Sequence, residues 1–317
     1  MGSTLLQLVQ QVTSELGVPT PGYVVGNTNQ DVIQIQALMN ASGYELLRKA
    51  DWQQLVKQNI FTTTYQTTQA WYTENATIIY VPEATGTAIG ANVDATVFYD
   101  YMALGTGIGN GSFITNAEFI GGYWQLTIPV PVTTTVTEAS NTQINLCKVK
   151  YALPDGYDST IPRTHWDKSK RWEMLGPEDA QQWEWLLSGY ISTGPRIRWR
   201  IFQNRFQTWP PVTTNEVLGY EYRSKAWVLS NTGADKNSFT ADTDTCIYPD
   251  RLMVLSTKLK YFEAKGFDTT AMYRDYLTEF ETSVAQNTSA ANLSFAPRPG
   301  TVLIGYDNIP DSGYGTP

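Results

Sequence analysis

Apolar residues near the start of the chain recur at three- and four-residue steps, at Leu5, Leu8, Val9, Val12 and Leu16, a period that puts them on one face of a helix. Thr4 followed by Gln7 supplies a capping box, and Gly17 with Pro19 a stop. A second helix is predicted from about Thr28, with Asp31 in its first turn. Its stripe is Val32, Ile35, Leu38 or Met39, Ser42 and Leu46. The segment KADWQQLVKQ then either extends that helix or forms a short third one.

From Ile60 to about residue 150 the pattern changes to threonine, tyrosine and β-branched residues punctuated by Gly, Asn and Pro. The runs ATIIYVP, DATVFYDYMAL, YWQLTIPVPVTTTV and QINLCKVKYAL read as short strands, so this stretch is predicted to be an all-β, sandwich-like module. A short helix should follow Gly176-Pro177-Glu178, with Ala180, Trp183 and Leu187 on one face and Gly189 closing it. RIRWRIF, residues 196–202, alternates strictly: Ile197, Trp199 and Ile201 face one way, Arg196, Arg198 and Arg200 the other. EVLGYEYRSKAWVL is its expected partner strand, with a cross-strand pair between Glu221 and an arginine. Further on, Pro249 is expected at a first helical position. Leu252, Leu255, Leu259 and Phe262 form a narrow seam ending at Gly266, and a second helix carries Tyr273, Tyr276, Leu277, Phe280 and Val284. These two helices are predicted to pair antiparallel. Residues 289–317, rich in Ser, Ala, Gly and Pro, show no period and are expected to be disordered alone or extended along a neighbour.

The predicted class is therefore α+β: helices from the two ends of the chain pack together with a short strand pair, and the β-rich segment stands apart. Strands do not alternate with helices as a parallel sheet requires. The length, 317 residues, allows about two domains. Ten Trp and nineteen Tyr are a heavy load of amphipathic rings, which suit subunit interfaces as well as cores. A formal charge of -8 opposes tight nucleic-acid binding of the basic-patch kind. Cys147 and Cys246 are far apart and outside any CxxC pattern, so they read as small buried residues. No basic leader, and no apolar run long enough for a membrane span, is visible. The expectation is a soluble protein of a reducing compartment, in which the N-x-S/T triplets at Asn75, Asn110, Asn287 and Asn292 are not glycosylation signals.

Candidate chemistry is sparse. The one histidine, His165, lies in YALPDGYDSTIPRTHWD, residues 151–167, with Asp167 two residues on. No G-x-S-x-G elbow accompanies it, and one histidine excludes HExxH zinc chemistry. His165 is expected to hydrogen-bond within a structural corner, which raises the question whether its protonation near pH 6 loosens a subunit contact. GTGIGNGS, residues 105–112, lacks the spacing and the following helix of a phosphate loop and reads as a loop at the tip of the β module. TADTDT, residues 240–245, lacks the glycine and the terminal glutamate of a calcium loop and reads as a turn. No cofactor, metal or catalytic residue is predicted. Arg196, Arg198 and Arg200 are candidates to clamp an acidic partner or touch a DNA backbone, against the alternative of a solvated face paired to acids such as Glu221. Trp166 and Tyr306 complete the interface candidates. A glycosidase with paired carboxylates, or a carbohydrate-binding module, would also suit an aromatic-rich β protein.

Set in order, TLLQLVQQVTSELGVPTP, ALMNASGYELLRKADWQQL, QNIFTT, YALPDGYDSTIPRTHWD, LGPEDAQQWEWLLSG, EYRSKAWV and FTADTDTCIYPDRLMVLSTKLKYFEAKGFD resemble the head-to-tail adaptor proteins of short-tailed bacteriophages. The likeness covers residues 1–64 and 151–288, and its specificity lies in the order of many modest motifs. It implies a structural virion protein, not an enzyme, made in the host cytoplasm. By family habit this is a dodecameric ring at the head-to-tail junction, joining the portal protein to the tail nozzle and lining the DNA passage. Residues 65–150 depart from the family pattern, in which a short β-hairpin connects the flanking segments. On this reading they are an inserted β domain that projects outward and could contact tail fibres, while residues 289–317 reach towards the portal.

Overall fold

The computed structural model describes residues 2–92, 94–188 and 196–287. The fold is mixed α+β, with several antiparallel sheets among the described residues. Its α-helices are α1 (Leu5–Leu16), α2 (Gln30–Lys49), α3 (Glu83–Ile89), α4 (Ala180–Leu187), α5 (Asp250–Lys265) and α6 (Thr270–Asn287). The chain divides into two compact units: residues 1–57, 155–160 and 222–317 form the first, residues 58–154 and 161–221 the second.

In the first unit, helices from both ends of the sequence share one apolar core. α1 contributes Leu5, Leu8, Val9 and Val12, and α2 contributes Val32, Ile35, Met39 and Leu46, as their periods predict. Thr4 and Gln7 close a reciprocal capping box on α1, and Gly17 ends it in the left-handed conformation. α5 packs against α1, α2 and α6 and is the hub of the unit. Its expected seam is a correction: every residue from Leu252 to Leu259 is buried, so the helix is enclosed nearly all round and Phe262 lies at its margin. Lys258, buried in this hub, is satisfied by Glu15 of α1 at 2.7 Å, which also accepts from Arg251 at 2.9 Å. Pro249 caps α5 from outside the helix and does not begin it. On α6, Tyr276 is buried and Phe280 and Val284 pack on the core, whereas Tyr273 and Leu277 face out. KADWQQLVKQ resolves into the end of α2, a 3-10 turn Gln53–Leu55 and the strand Val56–Thr62.

The second unit holds two antiparallel sheets around a core of its own. One runs Tyr65–Ala70, Thr142–Lys148, Tyr101–Gly105, Gly109–Phe113; the other Ile78–Pro82, Tyr123–Thr127, Asn116–Ile120. Tyr72, Ile79, Val81, Phe98, Trp124, Leu126, Ile144 and Leu146 are buried together in that core. Two expectations change here. DATVFYDYMAL is a 3-10 turn, Ala95–Asp100, before its strand, and EATGTAI folds as α3, so the module is not all-β. Asp94 caps the turn through the Thr96 amide, a local bond that competes with a sheet ladder. The segment from Tyr65 to Lys148 starts and ends at adjacent places. Tyr65 pairs with Cys147, and the Lys148 amide donates to the Thr64 carbonyl at 2.9 Å.

The remaining strands of this unit correct the predicted pairing of RIRWRIF. Arg198–Phe202 pairs with Arg205–Trp209 across a two-residue turn, Gln203-Asn204, in which both residues have positive φ. A hairpin closed by two residues is the shorter route, and it displaces EVLGYEYRSKAWVL as partner. The strand Val217–Ser224 is flanked instead by Val56–Thr62 and by Trp166–Asp167. In α4 the buried face is Trp183 and Leu186, not Ala180 and Leu187; Gly189 lies outside the described residues.

Candidate functional site

The segment that carries His165 is built by two turns and a hairpin. The Met174 amide donates to the His165 carbonyl at 2.9 Å, and Trp166–Asp167 pairs with Trp172–Glu173, so residues 168–171 form the hairpin loop. Asp167 holds that loop, its Oδ1 accepting from the amides of Ser169 at 2.9 Å and Lys170 at 3.0 Å.

His165 is not the hydrogen-bonded corner residue the sequence led us to expect. Its side chain is 1 % exposed, and neither ring nitrogen has a partner. The imidazole lies nearly parallel to Trp199, with ring centroids 3.6 Å apart, and to Tyr220 at 5.2 Å. Phe206 extends the stack beside Trp199 and Tyr220. Burial pulls the imidazole pKa down to about 4, so the ring is neutral at pH 6 and a charge switch at that pH is not available to it.

Asp167 is the second unusual group. It is buried beside Glu216, which is buried too. Burial first, and then the hydrogen bond and charge of Glu216, lift the Asp167 carboxyl above the usual range, while the Lys170 and Ser169 amides pull it the other way. Glu216 is held by Lys170 at 2.5 Å and by the Thr214 hydroxyl at 2.9 Å. A carboxyl raised in the folded state costs stability as pH rises above its ordinary value of about 3.9 and costs nothing below it. Asp167→Asn keeps the acceptor for both amides and removes the charge. The expected result is a protein more stable than the parent at pH 7, with the gain vanishing towards pH 4; thermal melts of both proteins across that range check it.

The three arginines of RIRWRIF have separate fates. Arg198 donates to Glu178 at 2.6 Å. Arg200 lies 4.4 Å from the Trp183 ring centroid and 4.5 Å from that of Phe202, and donates to Gln207 at 3.0 Å. Arg196 is half-buried just before the strand and makes no ion pair with a described residue. Two of the three are therefore engaged within the unit, and Glu178, not Glu221, is the acid. Trp166 is 39 % exposed on the hairpin, and Tyr306 lies outside the described residues.

Beside Trp166 the second unit opens a cavity of about 490 Å³, whose lining includes the cations Arg163, Lys168 and Arg171, the acids Asp167 and Glu221, and Gln58, with Gly219 at its side. Arg163, Lys168 and Arg171 were assigned no role from the sequence; the hairpin sets them beside the strand Val217–Ser224. A larger cavity, about 680 Å³, lies in the first unit and includes Arg48, Lys49, Arg223 and Lys225. There Arg223 is paired to Asp51 at 2.7 Å and Lys49 to Glu45.

The other motifs are architectural. GTGIGNGS forms the turn between the strands Tyr101–Gly105 and Gly109–Phe113, with positive φ at Gly107, Gly109 and Gly111. In TADTDT, Asp244 is buried and accepts from the Thr240 and Ala241 amides and from Lys236. Burial raises its pKa, but those donors outweigh it and the net shift is downward. Both thiols are buried and free, pushed up to about 12 by burial. Among the described residues no group of three or more His, Cys, Asp or Glu could hold a metal ion, and no helix is long and apolar enough to cross a membrane. No protein-family model matches the chain, and no curated protein matches it.

Proposed function

We propose that the protein is a structural connector of a virus particle, a head-to-tail adaptor that assembles as a ring between portal and tail nozzle. The observation that carries this reading is the shared core of α1, α2, α5 and α6: the two ends of the sequence, which hold most of the adaptor-like motifs, fold on one another. On this reading residues 1–64 and 151–288 are the adaptor core and residues 65–150 an inserted domain. The adjacent ends of that segment and its separate apolar core support the assignment. Its charge fits the role as well, because an acidic ring lets a polyanion pass without adhering.

The test is copurification of the full chain with a portal protein from the same virus, followed by imaging of the complex. A ring of this chain docked on the portal is the expected result; a chain that neither oligomerises nor binds the portal overturns the proposal. Removal of residues 65–148 across a short Gly-Ser bridge is expected to leave docking intact. The bridge retains Val149 because that side chain shares a buried cluster with Trp183, Leu186 and Trp209. Loss of docking by a soluble deletion variant would reject the inserted-domain assignment.

A further inference from the structure

The cavity beside Trp166 has a composition that neither architecture nor the adaptor role requires. Arg163, Lys168 and Arg171 are all exposed, and none of their side chains makes a hydrogen bond or ion pair with another described residue. Elsewhere in this acidic chain many cations are paired, as in Lys57 with Asp235, Arg198 with Glu178 and Lys258 with Glu15. Arg163 and Arg171 also hold φ of 63° and 59°, a left-handed backbone geometry uncommon for residues other than glycine. Glycine would occupy those positions without strain, so arginine at both invites a functional reading. Gly219 shapes one side: a Cβ there would meet the Lys168 side-chain stem at 2.5 Å, so its absence leaves the lysine room to lie along the strand.

We propose that this cavity is a binding site for an acidic saccharide, a sugar ring bearing a carboxylate. Trp166 offers an exposed indole face for the apolar side of the ring. The three cations receive the carboxylate, an arginine fork being suited to bind it through two parallel hydrogen bonds. Gln58 and Glu221 supply an amide and a carboxylate to hydroxyl groups. The volume, about 490 Å³, falls in the range of small-ligand sites. A nucleic acid fits less well. Binding of single strands uses successive aromatic platforms along a basic groove, whereas the lining of this cavity holds one aromatic ring. The site lies within the second unit and does not depend on portal docking.

Calorimetric titration of the full chain at low salt tests it, with oligosaccharides of glucuronate, galacturonate and N-acetylneuraminate as probes. A neutral maltooligosaccharide and an oligothymidylate serve as comparators. At least one acidic probe is expected to bind about tenfold or more tighter than both comparators, and to weaken as salt is raised. Trp166→Ala and the double variant Arg163→Gln/Arg171→Gln should each lose about tenfold or more in affinity with unchanged melting. Trp172→Ala, an exposed tryptophan of the same hairpin outside the cavity lining, should bind as the parent does. Absence of binding by all three acidic probes, equal binding of the neutral sugar, or tighter binding of the oligothymidylate overturns the proposal, the last in favour of a nucleic-acid site. Retention of binding by both cavity variants does so as well.

Discussion

Gly43→Val is expected to leave the helical unit unable to fold, and Gly43→Ala to destabilise it by several kcal/mol despite a better helix former replacing a poor one. Gly43 lies within α2, where helix propensity alone favours alanine by about 1 kcal/mol. Packing reverses that sign. A Cβ at Gly43 would stand 2.2 Å from Cζ2 of Trp227 and 2.3 Å from Cη2. The indole cannot retreat, because it is fully buried with the Phe239 ring edge-on at 5.2 Å and Tyr248 stacked at 5.8 Å. Tyr248 is tied in turn to the Gly43 carbonyl by its hydroxyl at 3.3 Å. Overpacking of a site so enclosed costs about 1–3 kcal/mol even when neighbours give way, and more when they do not. Trp227→Ala alone should cost about 3–5 kcal/mol by the cavity it leaves. The double variant Gly43→Ala/Trp227→Ala should then be much less damaged than the two single losses added together. Denaturant melts of the four proteins measure this, and additive losses would show that the indole is not what fixes glycine at this position.

Trp199→Ala should produce the corresponding loss in the second unit, about 3–5 kcal/mol. Trp199 is buried, covers one face of His165, and its amide and carbonyl bond to the Leu175 carbonyl and the Glu178 amide at 2.9 and 3.0 Å. His165→Phe is the informative contrast. At pH 7 a phenyl ring preserves the stack and removes two buried nitrogens without partners, so stability should change little. At lower pH the two proteins should diverge. An imidazole whose folded pKa lies near 4, against about 6.5 unfolded, contributes fully above pH 6.5 and loses that contribution as pH falls towards 4. His165→Phe is therefore expected to be more stable than the parent by about 2 kcal/mol at pH 4.5. Equal melting of the two at pH 4.5 would mean that the ring is solvated and not enclosed.

The two helical ends were legible because a 3.6-residue period, a capping box and a terminal glycine are local signals, and each acts within a few residues of its cause. The enclosure of α5 was not, since Met253, Val254, Ser256, Thr257 and Lys258 do not mark a face; Lys258 is buried only because Glu15, far away in sequence, meets it. The hairpin Arg198–Trp209 was missed for a different reason: Gln203-Asn204 carries no glycine, and both residues turn the chain at positive φ regardless. Arginine alternation was read correctly as a strand, but which acid each arginine finds is a tertiary fact. The cavity beside Trp166 shows the same limit, because Gln58, Gly219 and Glu221 reach it from strands far in sequence from the hairpin that carries its cations.

The enclosed imidazole has a practical consequence. Because His165 is the one histidine of the chain and is stacked on Trp199, its Cε1 proton should give a single resonance displaced by ring currents, assignable without mutagenesis or isotopic labelling. That signal is a built-in reporter for the second unit. It would register loosening of the aromatic stack while the helices of the first unit stay silent, and so distinguish local melting from collapse of the whole chain.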